Sequence, residues 1–294
     1  MYLITGANGF LGRALTAELS SYETLSRTNA DYCVDLATTV PQLTTPPEMV
    51  IHAAGKAHAV PKTPQETQAF FDVNLTGTKN LVAGLERLPN LPRAFVFIST
   101  VAVYGLEEGV SIAETAPLKG ATPYADSKRQ AEDFLEAWGR ANGVEVSILR
   151  LPLLIGRNPP GNLRAMIQGI SRGRYLRIGK GEARKSVLLA ADIASILPAL
   201  SRKGGTYNLT DGHHPRFADI EAHICQQLGK SLPASIPLSL AKLLGHIGDK
   251  VASFPVNSGT IRKITSDLTF DDTKARRELG WRPRTALNHF EVTL

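Results

Sequence analysis

The chain has 294 residues, 43% of them apolar, and carries 33 lysines and arginines against 27 aspartates and glutamates, a formal net charge of +6. A chain of this length buries roughly 75% of its unfolded surface, and the apolar content excludes disorder and low complexity. The basic excess is dispersed, with no run of five or six like charges, which excludes a nucleic-acid-binding arm and leaves phosphate-bearing small molecules to consider.

In chain order, Tyr2–Thr5 reads as a buried strand, followed by glycine-rich sequence and a helix-period stretch from Phe10 to Leu19. Short strands are expected at 23–26, 32–34 and 49–52, then a long helix from about Pro64 to Leu88 with Phe70, Leu75, Leu81 and Leu85 at apolar positions. Ala94–Ser99 is continuous, aromatic and β-branched, as a strand buried on both faces should be. Pro123 opens a helix with apolar Ala131, Phe134, Leu135 and Trp138 at 3-to-4 spacing, stopped by Asn142-Gly143 before a buried strand at 144–149. The β-α-β-α order predicts an α/β, Rossmann-type doubly wound parallel sheet over residues 1–155. After Pro152 the alternation breaks. Helices at 163–172, 192–201, 217–228 and 238–252, with strands near 186–189 and 206–209, predict a smaller α/β substrate-binding lobe over 156–294, from which 186–210 returns to the sheet.

Cys33 and Cys225 form no C-x-x-C pair, so neither a disulfide framework nor a metal site is expected. No run of about 18 apolar residues is present, so no membrane insertion is expected. The first residues carry no basic or apolar leader pattern, and the expected location is cytoplasmic.

Thr5-Gly6-Ala7-Asn8-Gly9-Phe10-Leu11-Gly12 joins the first strand to the first helix. Gly6 suits a tight turn, Gly9 admits a pyrophosphate close to the backbone, and Gly12 lets helix and strand pack closely. Free N–H groups and the helix dipole then face the anion. Gly6, Asn8, Gly9, Phe10 and Leu11 are therefore expected to bind a dinucleotide.

Tyr124-Ala125-Asp126-Ser127-Lys128 sets a phenol and an ammonium on one helix face. Moving a hydride to or from a carbinol carbon needs a partner that moves the hydroxyl proton. A free phenol titrates near ~10, and lowering it by ~3 units takes about 4 kcal/mol of phenolate stabilisation, which a neighbouring cation can supply. Ser99-Thr100 ends the most convincing strand, where ligands bind in open α/β sheets, and a hydroxyl there can hold the reacting oxygen.

These residues together resemble the extended branch of the short-chain dehydrogenase/reductases, the NAD-dependent epimerase/dehydratase family. Ser99-Thr100-Val101-Ala102-Val103-Tyr104-Gly105 is similar to that branch's S-[ST]-x-x-V-Y-G segment, Asn74-Leu75-Thr76-Gly77-Thr78 to its N-x-x-G-T element, and His52-Ala53-Ala54-Gly55 to H-x-A-A. Glu278-Leu279-Gly280-Trp281-Arg282-Pro283 is similar to its closing element. The resemblance implies catalytic roles for Thr100, Tyr124 and Lys128. It also implies cofactor contacts from Asp35, Leu36, Ala53, Ala54, Gly55, Asn74, Ser99, Tyr124, Lys128 and Leu151.

Within the branch, His52 to Val60 and the stretch Leu149-Arg150-Leu151-Pro152 to Gly161-Asn162 resemble a nucleotide-sugar 4-ketoreductase and UDP-glucose 4-epimerase-like subgroup. This implies a UDP- or other nucleotide-sugar substrate, met by His58, Thr100, Tyr124, Pro152, Asn162 and Lys185. The second strand ends Leu25-Ser26-Arg27-Thr28 with Arg13 on the first helix. Without an acidic residue for a ribose 2′-hydroxyl, and with Arg27 for a phosphate, NADP(H) is favoured over NAD(H). Reduction of a UDP-4-keto-6-deoxy hexose with Tyr124 as proton donor is the leading reading. A UDP-hexose or UDP-N-acetylhexosamine 4-epimerase and a non-catalytic dinucleotide-binding regulator are the alternatives. The subgroup also implies a homodimer through a helix bundle, for which Phe70, Leu81, Phe134 and Trp138 are candidates that serve equally to face the sheet.

Overall fold

The computed structural model describes residues 1–57, 60–250 and 257–294. The first half alternates β1 (Tyr2–Thr5), α1 (Phe10–Glu18), β2 (Tyr22–Ser26), β3 (Tyr32–Cys33), β4 (Met49–His52), α2 (Pro64–Phe71), α3 (Gly77–Leu85), β5 (Ala94–Thr100), β6 (Gly109–Ile112), α4 (Pro123–Asn142) and β7 (Glu145–Leu151). The second half continues with β8 (Leu153–Ile155), α5 (Gly161–Ser171), β9 (Arg177–Ile178), β10 (Val187–Leu189), α6 (Ile193–Leu200), β11 (Gly205–Asn208) and α7 (Phe217–Gln227). It closes with β12 (Ser235–Ile236), α8 (Leu238–Lys250), α9 (Ser258–Thr265), β13 (Leu268–Phe270) and α10 (Thr273–Leu279).

Seven strands form one sheet in the order β11-β7-β5-β4-β1-β2-β3, and every neighbouring pair is parallel. This is the doubly wound Rossmann-type sheet expected from the alternation of elements. Alternate residues of each strand feed opposite layers. Leu3, Val50, Phe95 and Phe97 pack with Leu81, Ala131 and Trp138 on one face. Ile4, Ile51 and Val96 pack with Leu15, Ile193 and Leu197 on the other. Both layers exclude water, which is why these strands read as continuous apolar runs. The strand order reverses between β1 and β4, whose terminal residues Thr5 and His52 are in register, and ligands of such sheets bind outside that switch point.

Past residue 156, β11 joins the main sheet and α6 packs on it, and so does material the sequence placed in the second lobe. Ala275 of α10 and Trp281 are buried on the α1 side, where the Trp281 indole N–H donates to the Thr210 carbonyl at 3.0 Å. The other elements form three small parallel pairs, β8 with β10, β9 with β12 and β6 with β13. A separate core gathers Ile155, Leu163, Ile167, Ile220, Ile224 and Phe290.

The long helix is interrupted. Residues Asp72–Thr76 form a π-turn between α2 and α3, and α3 ends at Leu85. The periodicity alone predicted one helix, because apolar residues recur at helical spacing on both sides of the turn. Its cause is Asn74, described below. Phe70, Leu81 and Trp138 are buried within the single chain and Phe134 packs against the same core, so these side chains face the chain's own interior.

Candidate active site

The glycine turn lies over the β1–β4 switch point. Gly6 has φ +68°, and a Cβ there would fall 2.7 Å from the backbone of Ala54. A Cβ on Gly12 would collide with the Gly6 carbonyl and Ala7. The turn is therefore sterically closed to side chains at both positions. A cleft of about 460 Å³ opens beside it, lined by Gly6, Asn8, Gly9, Ser26, Arg27, Asp35, Leu36, Ala53, Ala54 and Gly55 among others. The Asn8 amide donates to the Thr28 carbonyl at 2.5 Å, and the Arg13 guanidinium donates to the Asn8 carbonyl. Asp35 accepts the Ala37 N–H at 3.0 Å, forming its own turn at the cleft wall. The Ser26 hydroxyl, at the end of β2, is buried and has no partner among the described residues. Phe10 and Leu11 occupy the first turn of α1: Leu11 is buried in the core, and the Phe10 ring lies against Gly156.

Thr100 at the end of β5 and Tyr124 in the first turn of α4 meet each other, outside the residues that line the cleft. The Thr122 hydroxyl caps α4 by accepting the Ala125 N–H at 3.2 Å, and Pro123 fixes the first turn. Thr100 caps the short turn after β5, accepting the Ala102 N–H at 3.1 Å. Burial pushes the Tyr124 phenol above its ordinary value, and a hydrogen bond with the Thr100 side chain works against that rise. The Phe70 ring stands 6.2 Å from the Tyr124 ring.

Lys128, one turn on, is 4% exposed. Its ammonium donates to the Ile98 carbonyl at 2.8 Å and lies 4.5 Å from the Phe97 ring centroid. Burial pulls its pKa down to about 8, and the Glu132 carboxylate holds it from falling further. A Cβ on Gly55 would sit 3.1 Å from both the Lys128 nitrogen and Asn74 Oδ1, so this glycine leaves room around the ammonium.

Asn74 explains the π-turn. Its Oδ1 accepts the Lys56 N–H at 2.8 Å, and its Nδ2 donates to the Lys56 carbonyl at 3.1 Å and to the Ser127 hydroxyl at 2.9 Å. One buried amide thus ties the loop after β4 to both helices. His52 lies beneath it with every hydrogen-bond direction assignable. Thr78 donates to the Asn74 carbonyl, so it accepts from His52 Nε2 at 2.9 Å. Ala54 N–H donates to Thr5 Oγ1, whose own proton goes to His52 Nδ1 at 2.6 Å. The ring is therefore the neutral Nε2–H tautomer, and burial drives its pKa down to about 3.

A model of the NAD dependent epimerase/dehydratase family matches residues 2–210. The chain belongs to this family. It is 28% identical over 240 residues to N-acetyl-alpha-D-glucosaminyl-diphospho-ditrans,octacis-undecaprenol 4-epimerase of Escherichia coli O157:H7, spanning 78% of this chain and 72% of that relative. Among solved structures, RMD from Pseudomonas aeruginosa complexed with NADPH has a TM-score of 0.73 at 22% identity, covering 98% of this chain and 96% of the other. UDP-glucose 4-epimerase from Thermotoga maritima with UDP-glucose has a TM-score of 0.74 at 20% identity, covering 98% and 95%. At these identities the two structures are likenesses of fold.

As an epimerase/dehydratase-family enzyme, the chain needs a site for NAD or NADP. The cleft fits one on three counts. The turn admits only glycine, an unpartnered hydroxyl ends β2, and a buried cation stands beyond the far wall.

Not every candidate residue reaches this cleft. Ser99, expected against the cofactor, is 3% exposed and donates to Glu132. Glu132 in turn pairs with Arg150 at 2.7 Å, and Arg150 donates to the Tyr104 hydroxyl at 3.2 Å. Tyr104 donates to Asn208 at 2.7 Å, completing a buried chain across the ends of three strands. Glu132 and Asn208 were missed in the sequence. The available signal for Glu132 was its spacing of one helical turn from Lys128, on a face otherwise apolar.

Lys185, expected to face a diphosphate, is turned to the end of α9, donating to the Lys263 and Ser266 carbonyls at 2.7 and 2.6 Å. Those are the carbonyls a helix C-terminus leaves without partners. Asn162 is exposed on the first turn of α5, Pro152 separates β7 from β8, and Leu151 is buried at the end of β7. His58 lies outside the described residues.

Proposed function

We propose that this chain is an NADP(H)-preferring oxidoreductase acting at C4 of a hexose joined to a nucleoside diphosphate, and that it reduces the 4-keto sugar. What supports this is the hydrogen bond between Tyr124 and Thr100, with Lys128 one helical turn on and against Gly55 of the cleft wall. When bound, the dinucleotide supplies the hydride.

Tyr124 exchanges the proton on the sugar's O4, and Thr100 holds that oxygen through its hydroxyl. Burial keeps Tyr124 protonated in the free protein, which is the state that reduction of a carbonyl requires. Lys128 binds the nicotinamide ribose and brings positive charge toward the phenol. Its pKa of about 8 leaves it mostly charged at neutral pH. Asn74 and the His52 chain hold the loop and the π-turn that border this group.

The preference for NADP(H) rests on the end of β2, where Ser26 and Arg27 stand in place of a carboxylate on the cleft wall. Arg27 lines the cleft and can meet a 2′-phosphate, which a carboxylate would repel. Titration of the apoprotein with both cofactors tests this, and tighter binding of NAD(H) overturns it.

The Escherichia coli relative favours a second reading, a 4-epimerase, and its name places the sugar on undecaprenyl diphosphate. Absorbance at 340 nm separates the two. Stoichiometric loss of NADPH with a UDP-4-keto hexose supports the reductase. Interconversion of 4-epimers without net absorbance change supports the epimerase. A chain that binds cofactor and does neither refutes both.

A further inference from the structure

We propose that the part of the second lobe built from β9, β12 and α8 docks on an anionic lipid bilayer, with the apolar stripe of α8 entering the boundary between headgroups and acyl chains.

Among the described residues, six of the eleven exposed large apolar side chains lie on or beside β9, β12 and α8. Leu176 and Leu232, just before β9 and β12, are 56% and 58% exposed, and Leu240, Leu243 and Ile247 of α8 are 44%, 59% and 42% exposed. Single exposed leucines are ordinary, whereas a contiguous group marks an interaction surface. The helix is also inverted relative to a surface helix of a soluble lobe. Its inward positions are small: Ala241 and Gly245 are buried, and a Cβ on Gly245 would stand 3.2 Å from Ser258 and Ile261 of α9. Its large residues recur at positions 240, 243, 244 and 247, which is one stripe about 100° wide at 3.6 residues per turn. A helix whose large apolar face turns outward and whose small face packs inward is built to bury the outer face elsewhere.

Charge selects the occupant. Residues 222–248 contain no aspartate or glutamate, and Lys230, Lys242 and Lys250 belong to the same unit. An apolar stripe flanked by lysines is the pattern of a helix lying in the plane of an anionic membrane surface. A second copy of the chain would oppose the same lysines to themselves, with Asp249 as the nearby acid. Docking also requires no membrane-spanning segment, and no described helix is long and apolar enough to be one. None of the α8 residues lines the dinucleotide cleft, so the docking face and the chemistry are separable.

Flotation of the full chain with phosphatidylglycerol-containing vesicles, and with pure phosphatidylcholine vesicles, tests the proposal at low and high salt. The wild type is expected to float with the anionic vesicles and to release in high salt. L240S/L243S/I247S is expected to lower the bound fraction at least ~10-fold, given the apolar area each leucine or isoleucine withdraws from water. K242E/K250E is expected to abolish the preference for anionic lipid. Both variants alter exposed positions, and circular dichroism checks that they fold. Failure of the wild type to float, equal binding to neutral vesicles, or undiminished binding by both variants overturns the proposal. So does a wild-type dimer in light scattering that the triple variant converts to monomer without any vesicle binding, which would make a second copy the occupant. The 340 nm assay with a water-soluble substrate is unaffected by either variant, so failure of docking and failure of the reaction are read separately.

Discussion

Replacing Lys128 with methionine tests whether the site stores an energetic cost for its chemistry. The ammonium is 4% exposed, and burial takes its pKa from 10.5 to about 8. At about 1.4 kcal/mol per pH unit, keeping it charged in the folded protein costs about 3 kcal/mol at neutral pH. Methionine has similar volume and no charge. Its substitution leaves the Ile98 carbonyl without that donor, a loss of about 1–2 kcal/mol. The expected net gain is about 1–2 kcal/mol, a rise in Tm of about 2–4 °C for a chain of this size.

The gain has a defined pH dependence. Between pH 8 and 10.5 the folded wild type has shed the Lys128 proton while its unfolded chain still holds it, so wild-type stability climbs with pH. The advantage of K128M is therefore full below pH 8, gone by about pH 9–9.5 and reversed by 10.5, where the charge cost has been relieved and the lost hydrogen bond remains. Thermal melts of both proteins from pH 7 to 10, with turnover measured alongside, provide the assay. A variant that is inactive but more stable at pH 7 is the expected result. A K128M protein melting at or below wild type at pH 7, or a difference flat across that range, refutes the reasoning.

Three further outcomes are expected. His52 is neutral when folded, with its pKa pushed down to about 3 against 6.5 in the unfolded chain, so its contribution is present above pH 6.5 and lost as pH falls toward 3; acid titration by circular dichroism should show H52Q losing less stability than wild type over that window. Tyr124→Phe should lower kcat by about 10²–10⁴ while cofactor affinity measured by fluorescence stays near wild type, since the change removes only the proton donor; undiminished turnover would refute Tyr124 as the proton donor. Gly6→Ala forces a Cβ into the Ala54 backbone at φ +68°, and calorimetry should show cofactor affinity reduced by at least ~10-fold, because strain of about 1–2 kcal/mol falls on the turn itself.

Much of the frame was legible because local patterns and tertiary burial demand the same residues. Ala94–Ser99 is apolar throughout because both faces of β5 are covered, and Gly6 and Gly12 are glycine because backbone lies where a Cβ would go. The small strands β6, β8, β9, β12 and β13 were not legible. Each is two to four residues long and exists only through pairing with a segment distant in the chain.

For the site, the sequence alone supplied Tyr124 and Lys128 as a pair, since a helix puts positions four apart on one face whatever surrounds them. It also supplied Thr100 at the end of a buried strand. Partners were a different matter. Ser99 looked equally placed for a cofactor, yet strand alternation turns it from the cleft to Glu132. Lys185 looked placed for a diphosphate, yet the end of α9, some 80 residues on, presents carbonyls that take its protons. The π-turn at Asn74 arises from an amide reaching Lys56 across the fold. A side chain's type and spacing are written locally, but what its polar atoms bond to depends on which distant segments arrive beside it, and only the tertiary structure decides that.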